Sequence, residues 1–327
     1  MEERKTVLSV EHLSVKFTQY EKGFRQIEFP AIHDLSLTVK EGEMVAVVGS
    51  SGSGKSLLAH AVLGILPYNA VTGGRIDYDG MELTGKRIRA LRGREIVLVP
   101  QSVSYLDPLM KAGASVRKGK KDSETRRKCR EVLARYGLGK ETEELYPFEL
   151  SGGMTRRVLI STAVMEKPRL VIADEPTPGL HMEAAKRVLS HFREIADEGA
   201  GVLLITHDLE LALEAADRIV VFYAGTNVEE AYVSDFEEEE RLRHPYTKAL
   251  FRAMPQHGFV PVSGSQPYGK EFLSGCPYAS RCELADGSCG KEVEYTSLRG
   301  GMVRCRKAAE GGNGRYEAGG ESALFSI

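Results

Sequence analysis

The chain has 327 residues, 42% of them hydrophobic, and a formal net charge of −2; that is ample for a buried core, close to the length of two domains, and gives no global pull toward nucleic acid. Its apolar runs, such as Ile219 to Ala224, are strand-sized, which excludes a spanning helix of roughly 20 residues. The opening Met-Glu-Glu-Arg-Lys leads into no long apolar stretch, so the expectation is a cytosolic chain without a secretory signal, whose five cysteines serve metal binding, chemistry or burial rather than disulfides.

The first strong feature is Gly49-Ser50-Ser51-Gly52-Ser53-Gly54-Lys55-Ser56, directly behind the apolar run Met44 to Val48 and ahead of a helix expected over Leu57 to Leu66 and stopped by Pro67. Glycines between a strand and a helix let successive backbone N–H groups converge on phosphate oxygens. Lys55 adds a point charge for the outer phosphates, and the Ser56 hydroxyl is a ligand for Mg²⁺. From Met44 to Phe222 short apolar runs alternate with helical patterns, predicting an α/β fold with a mainly parallel sheet. Ile96 to Val99, Leu170 to Ala173, Val202 to Ile205 and Arg218 to Phe222 read as strands. Ala185, Val188, Leu189, Phe192, Ile195 and Ala196 recur at helical spacing before Gly199, and Asp208 is the N-cap expected for the next helix, through about Asp217.

Residues 102 to 150 are polar and read as a helical insertion, carrying Cys129 on the apolar stripe with Val132, Leu133 and Tyr136. Next comes Leu150-Ser151-Gly152-Gly153-Met154, opening a helix from Thr155 to Glu166 and forming a second phosphate cradle. One phosphate needs one cradle, so this segment is expected to cap nucleotide held by a second, head-to-tail copy of such a domain. The strand at Leu170 ends in Asp174 and Glu175: the first carboxylate is placed to hold the metal's water shell, the second to take a proton from attacking water.

In their order, the phosphate loop, Gln101, the Leu-Ser-Gly-Gly signature, Asp174-Glu175 and His207 after Val202 to Thr206 resemble the ATPase subunit of an ATP-binding cassette (ABC) transporter, over nearly the whole chain. The resemblance implies a P-loop ABC ATPase core with a helical subdomain at about 102–165. It also implies that Gln101 senses the γ-phosphate and metal, that Glu175 is the general base, that His207 contacts the γ-phosphate, and that an aromatic residue stacks on adenine, Phe17 before Tyr20. Two positions depart from the pattern. Met154 replaces the usual Gln, as in the peptide-importer branch, and His181 stands where the family has an Asp that reaches across the dimer. His181 lacks a fixed negative charge at neutral pH, leaving drift within the branch and an altered site both open.

His244-Pro-Tyr-Thr-Lys-Ala-Leu250 resembles the segment after the core of dipeptide, oligopeptide and nickel importers. Beyond it Cys276, Cys282, Cys289 and Cys305 are spaced C-x5-C-x6-C-x15-C in a glycine-rich region with little apolar sequence, which suggests a structural metal centre in a small Cys-rich C-terminal domain. Spacing leaves zinc and an iron-sulfur cluster open, and the resemblance points to a 4Fe-4S cluster. Cys129 is expected in the core. The basic run Arg117 to Arg130 faces either lipid head groups or solvent, and Glu237 to Glu240 reads as a solvated linker.

The expected organisation is a nucleotide-binding domain over residues 1–243, a C-terminal domain over 244–307 and a disordered tail over 308–327. The expected function is ATP hydrolysis, with Mg²⁺, driving import of peptides or nickel. Expected partners are a second, non-identical ATPase subunit, two permease subunits met by the residues around Tyr105 to Met110, and, indirectly, an extracytoplasmic binding protein, with the chain peripheral on the cytoplasmic face of the membrane. The alternatives are a soluble ABC ATPase without a membrane partner and an exporter ATPase.

Overall fold

The structure, a computed structural model, describes residues 4–20, 26–267 and 275–310. Its central strands are β3 (Met44–Val48), β6 (Ile96–Val99), β7 (Leu170–Asp174), β8 (Gly201–Thr206) and β9 (Arg218–Tyr223), all parallel in the order β9-β3-β8-β7-β6. They are runs of Val, Ile, Leu and Ala because both faces are covered. Successive side chains leave a strand on opposite faces, so Met44, Ala46 and Val48 enter one core with Val202 and Leu204, while Val45 and Val47 enter the other with Leu203 and Ile205.

The mainly parallel sheet holds only for this centre. β1 (Thr6–Tyr20) and β2 (Gln26–Lys40) pair antiparallel, as do β1 with β4 (Ala70–Tyr78), β4 with β5 (Met81–Glu82), and β9 with β10 (Thr226–Tyr232). In β1 the apolar residues alternate in blocks, Val7, Leu8 and Val10 and then Leu13 and Val15, with pairing shifts between. A bulge breaks the strict period of two, and that hides the strand from pattern reading.

The helices are α1 (Lys55–Val62), α2 (Gly85–Leu91), α3 (Ala112–Val116), α4 (Ser123–Arg135), α5 (Gly152–Val164), α6 (Met182–Asp197), α7 (Leu209–Ala215), α8 (Pro245–Ala253) and α9 (Arg306–Glu310). α1 ends before the expected Leu66 because Gly64 takes a left-handed conformation at φ 60°, the usual C-terminal stop. α5 starts before the expected Thr155: Ser151 is its N-cap, accepting from the Met154 amide, so Gly152 and Gly153 form its first turn. Asp208 caps α7 through the Leu211 amide, and Cys129 is fully buried.

The small Cys-rich C-terminal domain does not stand apart. β11 (Thr296–Leu298) and β12 (Gly301–Val303) form a hairpin whose β12 pairs with β10. Tyr278 belongs to the main core, and Cys276 and Cys282 pack against it. The segment is held by shared sheet and shared core, which its glycine-rich composition concealed. Of the expected disordered tail, 308–310 complete α9 and 311–327 lie outside the described residues.

Candidate functional site

β3 delivers the phosphate loop to the N-terminus of α1. Gly49 lies against the backbone of β9 so closely that a Cβ would stand 2.2 Å from the Phe222 carbonyl oxygen. Gly52 and Gly54 have φ of 76° and 100°, a region that costs other residues strain. The Lys55 ammonium turns back into the loop, donating to the carbonyls of Gly49 (2.8 Å) and Ser50 (2.9 Å), and Glu175 Oε1 is 4.0 Å away. Burial pulls its pKa down, opposed by Glu175 and Asp174.

The strand ends on the other side complete the cluster. Ser56 Oγ donates to Asp174 Oδ1 at 2.9 Å, and Glu175 Oε2 lies 2.8 Å from His207 Nδ1. Burial pushes the Asp174 carboxyl up, with the Ser56 hydrogen bond opposing. Buried beside a hydroxyl, that carboxylate is an oxygen donor set suited to a hard cation such as Mg²⁺. Glu175 adopts φ 47°, a conformation that for a non-glycine residue persists only where its surroundings enforce it; its amide donates to the Ile205 carbonyl.

Phe17 lines a cavity beside the loop with Phe29, Ala31, Gly52, Gly54 and Gln266, about 640 Å³ including its open mouth. Tyr20 does not line it and is 68% exposed. Ser51 and Gln101 are exposed, and Gln101 is tied in through its backbone. Ser151, Gly152 and Gly153 contribute nothing to this cavity, and a Cβ on either glycine would meet open space.

Arg156, one turn into α5, was not singled out from sequence. Its guanidinium donates to the carbonyls of Gln101 (3.0 Å), Glu175 (3.4 Å) and Pro178 (3.3 Å), joining three loops, and its pKa is lowered by burial. The only available signal was an arginine just after the Ser-Gly-Gly cradle.

The four C-terminal cysteines and His244 line one small cavity. Cys276 Sγ is 3.7 Å from His244 Nε2, and the Cys276 amide donates to the Cys289 carbonyl. Burial pushes the Cys276 thiol up to about 12, with the other three cysteines adding to it, and burial also raises Cys282 and Cys305. Among the described residues no group of three or more Cys, His, Asp or Glu side chains is close enough, as placed, to hold a metal ion. The four sulfurs therefore share a cavity without a formed coordination shell. A cation there would reverse the burial penalty on Cys276, Cys282 and Cys305.

A phosphate loop on a parallel sheet, a carboxylate pair beside it and a second glycine cradle on the helical insertion together define an ATP-binding cassette. The ABC transporter profile matches residues 32–178, and the C-terminal region of oligopeptide/dipeptide transporters matches 228–289. The dipeptide transport ATP-binding protein DppD of Escherichia coli is 34% identical over 319 residues, covering 87% of this chain and 95% of that protein. A putative peptide import ATP-binding protein of Brucella abortus is likewise 34% identical, covering 91% and 94%. The oligopeptide transport ATP-binding protein OppD of Mycobacterium tuberculosis is 38% identical, but the matched chain spans only 45% of its length. Among solved structures, a dimeric post-hydrolysis state of the cassette MJ0796 bound to ADP and Pi matches with TM-score 0.59 at 27% identity, covering 69% of this chain and 98% of that one. The chain belongs to the ABC transporter family and carries the C-terminal region that oligopeptide/dipeptide transporters share. Among the described residues no helix is long and apolar enough to cross a membrane.

Proposed function

We propose that the chain hydrolyses ATP to drive a peptide importer. The observation that carries this is the convergence of Lys55, Ser56, Asp174, Glu175 and His207 on the mouth of the phosphate loop. On binding, the phosphates take up the N–H groups of Gly52 to Ser56, and the Lys55 ammonium exchanges its loop carbonyls for phosphate oxygens. Ser56, Asp174 and Gln101 would hold Mg²⁺, which would supply positive charge to neutralise the phosphates. Glu175 takes the proton of the attacking water, and His207, bonded to Glu175, orients that carboxylate and reaches the γ-phosphate. Phe17 stacks on the base. Gln101 reports the γ-phosphate to the permease, and Ser151, Gly152 and Gly153 close over nucleotide held by a partner subunit.

Peptides rather than nickel are favoured by what the relatives are called, and a permease pair by the exposed Tyr105 and Leu109 just past Gln101. We assign the partner to a related, non-identical ATPase on the strength of His181, and place the chain on the cytoplasmic face of the membrane. The four cysteines are read as ligands of a 4Fe-4S cluster, with zinc the alternative, because they line one cavity. The test is ATP hydrolysis by the chain assembled with a permease pair and a second ATPase in vesicles. Peptide-stimulated turnover abolished by Lys55→Ala is expected; hydrolysis indifferent to permease and peptide would favour a soluble ABC ATPase instead.

A further inference from the structure

The cavity beside the phosphate loop has a wall that the cassette itself does not supply. Besides Phe17, Phe29 and Ala31 it is lined by Gln266 and Pro267, more than two hundred residues downstream. Gln266 is anchored on the loop: Ser50 Oγ donates to its Oε1 at 2.8 Å. Ser50 is the first variable position of the loop, and its side chain also interacts with Tyr246 of α8.

What holds this wall is a single arginine between two of the cysteines. Arg281 Nε donates to the Ser263 carbonyl at 2.7 Å and Nη2 to the Val262 carbonyl at 3.0 Å, while Nη1 donates to the Tyr223 hydroxyl at 2.9 Å. Its guanidinium lies over the rings of Tyr223 and Tyr278, 5.8 and 5.6 Å from their centroids. Gly264, at φ 76°, turns the chain against the same side chain. Two backbone carbonyls gripped by one rigid fork thus fix the approach of the segment that ends at Gln266.

A half-open pocket lined by aromatic rings and a carboxamide is suited to the sugar and base of a nucleotide. The aromatic ring offers a stacking face, and the carboxamide offers both a donor and an acceptor. Resting on the nucleotide-site reading above, we propose that Gln266 contacts the sugar–base end of bound ATP. Arg281 is the positioning residue that keeps it there, so the C-terminal segment completes the nucleotide pocket.

The experiment is calorimetric binding of ATP and of inorganic triphosphate to the full chain, its Gln266→Ala and Arg281→Lys variants, and the double variant, each checked by thermal melting. Losing one or two hydrogen bonds from a ligand weakens binding by about 3- to 10-fold. Gln266→Ala is expected to weaken ATP by that factor and to leave triphosphate within about twofold. Arg281→Lys keeps the charge but loses the fork, so it should reproduce the ATP loss, and the double variant should lose no more than the larger single effect. Unchanged or tighter ATP binding by Gln266→Ala, or an equal loss for both ligands, would overturn the proposal while leaving the nucleotide site intact. Failure of the unmodified chain to bind ATP would overturn both.

Discussion

Lys55 is a cation almost wholly withdrawn from water and held by two carbonyls of its own loop. If phosphate oxygens replace those bonds on binding, Lys55→Ala should abolish the thermal stabilisation that millimolar ATP confers on the unmodified chain. Glu175 differs, because its carboxylate is hydrogen-bonded to His207 at 2.8 Å while Lys55 stands 4.0 Å away. Glu175→Gln should keep ATP binding and lower turnover about 10²- to 10⁴-fold, the range for a lost proton transfer; unchanged hydrolysis would remove Glu175 from the chemistry. Gly49 allows no side chain. Its Cβ would meet the Phe222 carbonyl at 2.2 Å, and β9 is buried on both faces, so Gly49→Ala should destabilise the fold by about 3 kcal/mol in denaturant melts. Gly52→Ala would meet no atom, only the cost of its φ.

At the scale of elements, α5 and the β10–β12 edge are held by buried guanidinium groups. Arg243 donates to Glu229 and to Asp235, while the Arg243 and His244 amides donate to the Glu229 carboxylate. Glu229 is fully buried and Arg243 nearly so. Removing one partner of such a pair leaves the other charge uncompensated, a loss of about 3–5 kcal/mol. Arg243→Met should therefore free β11 and β12 to exchange amide hydrogens early while β3 and β8 stay protected. Equal protection throughout would mean that sheet pairing alone holds the hairpin. Neither buried arginine was legible in the sequence, where each is one cation among 44 Lys and Arg. By contrast α6 and its C-terminal end were legible, since its apolar stripe from Ala185 to Ala196 repeats at helical spacing and Gly199 follows its end at φ 104°.

For the molecule as a whole, Arg281, next to Cys282 of the four-cysteine cavity, also secures the segment that reaches the cavity beside the phosphate loop. If the cysteines hold iron and sulfide, protein purified without oxygen should be brown, with a band on the order of 400 nm that bleaches on reduction. Zinc would leave it colourless, and elemental analysis finding neither would remove the centre altogether. Because Tyr278 and β12 share the main core and sheet, metal removal should loosen residues 275–308 without unfolding the cassette. His181 caps α6 through Nδ1, accepting from the Ala184 amide, so whatever it does across a dimer is added to a local structural duty. The isolated chain should be mainly monomeric with slow hydrolysis, and cooperative turnover by the pure chain would count against a non-identical partner.

What the sequence by itself determined is what is written in consecutive residues. The phosphate loop, the acid pair at the end of β7, the signature that opens α5 and the five parallel strands all depend on local backbone geometry and on hydrophobic period. Tertiary structure alone decided the antiparallel strands β1 and β2, whose alternation is broken by bulges. It also decided the joining of the cysteine segment to the main sheet, and the arrival of Arg156 and Gln266 at carbonyl and hydroxyl groups far along the chain. The reason is physical: a turn or a strand is selected by neighbours a few residues away, whereas a buried arginine or a pocket wall is selected by partners that only folding brings within hydrogen-bond distance.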